Sequence, residues 1–342
     1  MKILLLGAGK VGLSLLEMLP EVRYSRGGSG IQVSAIADSG GYLHTQGMKP
    51  LEIAASKRSG KLHSLHGWKE GGRLLDVIAE SDADVLVDCM TTNFRDAKPS
   101  LDCVLAAFRK GMDVVTANKG PLALHAPLVL GEARRAGSSI MFSATVGGGT
   151  PFIDFGMLCR RDSSIASLRG ILNGTTNFVL TRMSEGLPAD SAITEAKAAG
   201  IAETDPTNDI RGLDSSAKIV ILANTLAGRE YTLPDVDMTG IEAVTPEMFR
   251  EAESSGRSLK LISTYIPGEE VLRVSPELVS SSDHLNVGGT YNALTYTLED
   301  GNEFTLIGTG AGAVETARAV ARDIASLLDA REGKRDNQAR TS

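Results

Sequence analysis

Between Glu203 and Lys218 the chain sets four carboxylates (Glu203, Asp205, Asp209 and Asp214) and one lysine within sixteen positions. A helical pattern ends near Ala199, a loop with Pro206 follows, and a second helical pattern begins at Asp209. That second pattern turns apolar through Leu213, Ala217, Val220 and Ile221, so its face points to a core. Charge of this density beside a core-facing helix reads as a polar cavity walled by apolar packing. Its chemistry would be capture of a cationic group by carboxylates. The lysine could move a proton if burial and a neighbouring cation brought its pKa toward neutral. The alternative is a solvated face, where Asp214 and Lys218 are only an acid-first i,i+4 pair of about 0.2–0.5 kcal/mol. The apolar neighbours favour the site. Asp205 and Asp209 also suit loop and helix-cap positions.

A second set of candidates is backbone chemistry. Gly7-Ala8-Gly9-Lys10-Val11-Gly12 follows the apolar run Lys2–Leu6 and opens a helical pattern. In that context the first glycine allows a tight turn, and the second lets the backbone approach a pyrophosphate. The third packs helix against strand, and the helix start offers N–H groups to the anion. Asp38 closes the next strand and is placed for the adenosine ribose hydroxyls, which leans toward NAD over NADP; a turn cap in Asp38-Ser39-Gly40-Gly41 is the plainer reading. Its distance of 26 residues from Gly12 exceeds the usual ~20, and the polar loop 23–30 accounts for the excess. Thr91-Thr92-Asn93 and Ala117-Asn118-Lys119 end the third and fourth strands, where open α/β sheets bind ligands. Lys119 there is a proton shuttle or a carboxylate holder, or else a loop lysine.

The elements that must position these residues follow from the hydrophobic pattern. Strands at 2–6, 31–37, 83–88 and 113–116 alternate with helical segments near 11–19, 101–110 and 128–136, the sign of a parallel sheet with helices on both faces. After 140–145, Gly147-Gly148-Gly149 breaks the chain, and the pattern becomes α+β. Helices are expected at 151–160, 189–199 and 209–226, with strands at 167–172, 259–266, 291–298 and 303–307. Gly308-Thr309-Gly310-Ala311-Gly312 leads into a last helix at 314–328, with Val314, Ala317, Ala321, Ile324 and Leu328 on one face. The fold class expected is α/β: a Rossmann-type parallel-sheet nucleotide domain followed by an α+β domain with an antiparallel component. Residues 331–342 read as a disordered tail.

Composition bounds the rest. At 342 residues, with 42% apolar and 23% charged residues, the chain suits two soluble globular domains. A net charge of −7 without a dense basic run speaks against nucleic acid and for small-molecule partners. Cys89, Cys103 and Cys159 form neither a disulfide framework nor a zinc spacing, which fits a reducing cytoplasm. No apolar run approaches the ~18 residues of a membrane span.

Several segments together resemble homoserine dehydrogenase. They are Gly7–Gly12, Thr116–Lys119, Ala144–Gly149 before Pro151, Gly170-Ile171-Leu172-Asn173-Gly174-Thr175-Thr176-Asn177, Ala199–Lys218 and Gly308–Thr316, in family order across residues 1–330. No aspartate kinase domain precedes and no regulatory domain follows within the chain, as in the short monofunctional form. The resemblance implies NAD(P)-dependent interconversion of L-homoserine and L-aspartate 4-semialdehyde in threonine and methionine biosynthesis, by a homodimer or homotetramer. It implies a discontinuous nucleotide domain (1–140 with 308–330) and an α+β substrate and dimerisation domain (141–307). It implies Lys218 and Lys119 as catalytic residues, with Glu203, Asp214 and Asp209 holding substrate. Asn173, Gly174, Thr175 and Thr176 form a substrate-side loop, Asn173 and Asn177 otherwise reading as turn caps. Gly7, Gly9, Lys10, Val11, Gly12, Asp38, Thr91, Thr92, Asn118, Lys119 and Gly310 would contact NAD or NADP. The family's monovalent cation, Na⁺ or K⁺, maps to backbone carbonyls around Ser143, Val146 and Gly148; many members carry Glu where this chain has Ser143. Two rivals stay open: a dehydrogenase of the same architecture for another amino-acid-derived alcohol or aldehyde, and a non-catalytic nucleotide-binding regulator.

Overall fold

The computed structural model describes all residues except 25, 26, 29, 311 and 342, with the side chains of 332–341 also undescribed. Chain contacts divide it into two compact units, Met1–Thr145 with Ala313–Ser342, and Val146–Gly312.

The first unit is built on a seven-stranded sheet. Its strands are β1 (Lys2–Leu6), β4 (Gln32–Asp38), β5 (Gly41–His44), β6 (Lys69–Glu70), β7 (Val85–Asp88), β8 (Asp113–Thr116) and β9 (Ile140–Met141). The minor β2 (Arg23–Tyr24) and β3 (Gly27–Gly28) pair antiparallel outside it, inside the 23–30 loop, part of which lies outside the described residues. The order β6-β5-β4-β1-β7-β8-β9 is parallel from β4 to β9, while β5 and β6 add an antiparallel edge not expected from sequence. Ile3, Leu4, Leu5 and Leu6 are all fully buried, which is why β1 is a continuous apolar run rather than an alternating one. The chain leaves β1 for β4 on one side and then crosses to β7 on the other. The crevice of the sheet therefore opens at the end of β1, where Gly7 begins.

Helices α1 (Lys10–Met18), α2 (Pro50–Arg58), α3 (Leu74–Glu80), α4 (Ser100–Arg109) and α5 (Gly120–Ala136) belong to this unit. After the second unit the chain returns as α12 (Ala313–Thr341), whose Ala317, Val320, Ile324 and Leu327 share a core with Leu15, Leu16 and Leu19 of α1. Val314 was expected on that buried face but is 41% exposed, and Val320 and Leu327 take the core positions instead. The stretch 331–342, read as a tail, continues the helix to Thr341, and its side chains past Arg331 lie outside the described residues.

The second unit holds a six-stranded sheet in the order β11-β13-β12-β10-β14-β15. These are β10 (Ile165–Ile171), β11 (Val236–Met238), β12 (Arg257–Tyr265), β13 (Leu272–Ser280), β14 (Tyr291–Leu298) and β15 (Glu303–Thr309). Its helices are α6 (Phe152–Cys159), α7 (Gly174–Ser184), α8 (Ala189–Ala198), α9 (Thr207–Ile210), α10 (Leu213–Ala227) and α11 (Pro246–Ser254). Strand β13 escapes the pattern because Ser275, Pro276, Glu277 and Ser280 dilute its apolar signal. The single helix expected over 209–226 is two helices. Gly212 stands between them at φ 83°, a left-handed conformation that a side chain resists, so Asp209 sits on α9 and Asp214 on α10.

Candidate active site

In the first unit the three glycines of the β1–α1 turn have separate causes. Gly7 lies at φ 93°, and a Cβ there would fall 2.6 Å from the carbonyl oxygen of Cys89. A Cβ on Gly12 would fall 2.0 Å from the carbonyl oxygen of Gly7, so only glycine lets α1 start so close to the strand. Gly9 has nothing within 4 Å of where its Cβ would stand. That open backbone at a helix start, with Lys10 and Val11 in the first turn, fits a dinucleotide pyrophosphate.

At the carboxyl ends of β7 and β8 two loops are tied together. Asn118 Nδ2 donates to the carbonyls of Met90 and Thr91, both at 3.3 Å, and the Lys119 N–H donates to Thr92 Oγ1 at 3.4 Å. Thr91, Thr92, Asn118 and Lys119 thus form one rim, with Lys119 half-buried. Beneath it lies Asp88, which sequence reasoning missed. It is fully buried and accepts hydrogen bonds from Ser100 Oγ and from the Met90 N–H at 2.9 Å. Burial pushes its carboxyl up to about 6, against the pull of those hydrogen bonds. Asp38 closes β4, where it accepts from the Ser39 N–H at 2.7 Å and pairs with Lys57, a second missed residue. Burial opposes its charge, but the hydrogen bonds from Lys57 and Ser39 and the nearby cations hold its carboxyl below the usual range. The Ser143 N–H donates to Asp323 of α12 at 2.9 Å.

In the second unit the cluster converges on Asn173. Its Oδ1 caps α7 by accepting from the Thr176 N–H at 2.9 Å. Its Nδ2 donates to Asp209 at 2.7 Å and to Asp214 at 2.9 Å, so one amide serves as helix cap and carboxylate bridge at once. Asp214 Oδ2 lies 2.6 Å from Lys218 Nζ, and the two side chains are only 13% and 9% exposed. The pair is therefore not a solvated i,i+4 contact. Lys218 Nζ also donates to the carbonyl of Leu172 at 2.7 Å. Thr175 Oγ1 reaches the carbonyl of Ile201 at 3.2 Å. Glu203 is exposed and stands apart from this network, and Asp205 is exposed and turned back on Thr207.

Lys260 of β12, also missed, is 5% exposed and supports the same loop. It donates to the carbonyl of Val287 at 2.6 Å and to Asn177 Oδ1 at 3.3 Å, and burial lowers its pKa to about 8. Asn177 in turn donates to the carbonyls of Val287 and Tyr291. Gly310 is explained by packing, since a Cβ there would fall 2.1 Å from Asn292 Cγ. Val146 is buried, and Gly147 and Gly148 both take positive φ. Among the described residues no group of three or more His, Cys, Asp or Glu side chains gathers to hold a metal ion.

Comparison with known proteins converges on one family. The model described as "Homoserine dehydrogenase" matches residues 151–325, and that described as "Homoserine dehydrogenase, NAD binding domain" matches residues 7–143. The chain belongs to the homoserine dehydrogenase family. It is 39% identical to a homoserine dehydrogenase of Methanocaldococcus jannaschii, over 96% of this chain and 99% of that one. It is 32% identical to an NAD(+)-dependent homoserine dehydrogenase of Pseudomonas canavaninivorans, over 98% of each. A hyperthermophilic archaeal homoserine dehydrogenase in complex with NADPH superposes with a TM-score of 0.82 at 29% identity, over 96% of this chain and 98% of that one. The chain is accordingly an NAD(P)-dependent oxidoreductase of amino-acid biosynthesis, with a Rossmann-type nucleotide-binding fold. No helix among the described residues is long and apolar enough to cross a membrane.

Proposed function

We propose that this dehydrogenase interconverts L-homoserine and L-aspartate 4-semialdehyde with the second-unit cluster as its substrate site and Lys218 as its proton-transfer residue. The observation that carries the assignment is the geometry of Lys218. An ammonium has three N–H donors, and here two are committed, to Asp214 at 2.6 Å and to the Leu172 carbonyl at 2.7 Å. The third is left for the substrate oxygen. Bound NAD(P) would supply the hydride acceptor or donor. In reduction the third N–H passes its proton to the aldehyde oxygen as the hydride arrives, leaving Lys218 a neutral amine; in oxidation that neutral amine takes the hydroxyl proton as the C–H bond gives up its hydride.

Asp209 and Asp214, already aligned by Asn173, bind the substrate ammonium. The N–H groups of Gly174 and Thr175, at the positive end of α7, receive its carboxylate. Glu203 would join them only if its loop moves inward. Lys119 is the second lysine of the reaction, presented by the Thr91–Thr92–Asn118 rim. Gly7 to Gly12 cradle the pyrophosphate. Asp38 addresses the ribose, and its partner Lys57 places a cation at the same spot, so both NAD and NADP find a complementary group. Carbonyls around Ser143, Val146 and Gly148 hold Na⁺ or K⁺. The two domains work as 1–140 with 308–330, and 141–307. The chain works in the cytoplasm and assembles as a homodimer or homotetramer; the assembly is supported by exposed apolar side chains on β14 and β15, where Tyr291, Phe304 and Ile307 are 50%, 38% and 45% exposed.

The test is reduction of NAD and of NADP by the purified chain with L-homoserine, with and without K⁺ or Na⁺. Turnover with either coenzyme is expected. Turnover on another hydroxy-amino acid but none on homoserine would reject the substrate.

A further inference from the structure

We infer that Asn292 is a substrate-binding amide, which joins the Gly174 and Thr175 N–H groups in holding the α-carboxylate of the amino-acid substrate. The inference rests on the reading of the Asn173–Lys218 cluster as the substrate site. Asn292 lies on β14 with 0% exposure, and neither its Nδ2 nor its Oδ1 has a hydrogen-bond partner. Leaving a buried polar group unpaired is costly and uncommon in a folded protein. The contrast with its neighbours is sharp. Asn173 uses both ends of its amide, on Thr176, Asp209 and Asp214, and Asn177 uses both ends of its own, on Lys260, Val287 and Tyr291. Only Asn292 of these three is kept unsatisfied.

Its position says what would satisfy it. A Cβ on Gly174 would stand 3.4 Å from Asn292 Oδ1, and one on Gly310 would stand 2.1 Å from its Cγ. The amide is thus sandwiched between the first residue of α7 and a glycine whose missing side chain makes room for it. The N–H groups of Gly174 and Thr175 precede the capped Thr176 N–H and have no helical partner, so α7 begins with free donors and partial positive charge. The group expected there is an anion. Ammonium and carboxylate sit on the same carbon of an α-amino acid, so their two subsites must adjoin. Asn173, which orients Asp209 and Asp214 for the ammonium, is the residue immediately before Gly174. An amide beside Gly174, donating through Nδ2, therefore completes the carboxylate side.

The full-length Asn292→Leu variant removes both polar atoms at nearly constant shape. The KM for L-homoserine should rise roughly tenfold or more, with the KM for NAD(P) unchanged and the Tm of the free enzyme not lowered. A purely structural asparagine would instead lower Tm and leave the homoserine KM alone, which overturns the inference. A raised NAD(P) KM with unchanged homoserine KM overturns it as well, by giving the amide to the nucleotide. Should Asn292→Leu fail to fold, Asn292→Asp keeps the size but sets an anion against the carboxylate; a wild-type homoserine KM there is also fatal. Lys218→Ala run in parallel separates the two readings. If Lys218→Ala is inactive while Asn292→Leu binds homoserine normally, only the role of Asn292 falls. If Lys218→Ala retains turnover, the substrate-site reading falls first.

Discussion

The nucleotide turn and the substrate cluster are built on opposite plans. The turn after β1 works by what is absent, since side chains at Gly7 and Gly12 would strike backbone at 2.6 and 2.0 Å, while Gly9 faces open space. The cluster in the second unit works by what is present: Asn173, Asp209, Asp214 and Lys218, each bonded to another member of the group. The first plan is carried by six consecutive residues, with the Cys89 carbonyl met from outside them, and the second draws on three elements from 173 to 218. A site made of backbone is specified locally. A site made of side chains is specified only when distant elements meet.

That contrast can be broken most severely at Lys218. Lys218→Ala should lower kcat by about 100- to 10,000-fold, the range for loss of a proton-transfer group, with nucleotide affinity nearly unchanged. Stopped-flow turnover beside NAD(P) titration checks it, and wild-type turnover would end the lysine's role. On the backbone side, Gly12→Val forces a Cβ into the Gly7 carbonyl. Overpacking of that kind costs about 1–3 kcal/mol, and NAD(P) binding should weaken roughly 10- to 100-fold. Calorimetric titration giving normal NAD(P) affinity would mean the turn is not a cradle.

Asn173→Ala tests whether one residue joins structure to chemistry. Losing the cap should cost about 1 kcal/mol of stability, and unbridging Asp209 and Asp214 should raise the homoserine KM roughly tenfold. A lower Tm with an unchanged KM would reduce Asn173 to a cap. The smallest effect concerns Lys260. Its folded pKa is lowered to about 8 from 10.5, so between those values the unfolded chain holds a proton that the folded chain has released. The penalty is fully present below pH 8 and is relieved as pH rises toward 10.5. Wild type should therefore gain stability relative to Lys260→Met across that window. Denaturant unfolding at several pH values checks it, and a difference that stays flat with pH would exclude the buried ammonium.

Legibility followed the same division. The strand–glycine–helix unit at 2–18 is readable because apolar run, glycine spacing and helical period all fall within one short window. The density of charge at 203–218 is equally visible, yet it did not reveal which members act together. Glu203 has the same chemistry as Asp214 but is exposed, and Asp209 reaches the network only because Gly212 breaks the helix and turns α9 aside. Lys57, Asp88, Lys260 and Asn292 gave no local signal. Each is a single polar residue whose meaning depends on burial and on a partner from another element, and neither quantity is written in the neighbouring residues. Strand β13 was hidden for a related reason, since its polar residues interrupt the alternation that marks a strand.

By itself the sequence determined the alternating α/β order, the dinucleotide turn and the charged segment that would carry the chemistry, because these depend on short-range period, propensity and backbone freedom. Tertiary structure alone decided that Asn173 bridges two carboxylates, that Asp214 and Lys218 form a buried pair, and that Asn292 is left unsatisfied. Those facts depend on distance and solvent exclusion between elements far apart in the chain, which only the packed fold can set.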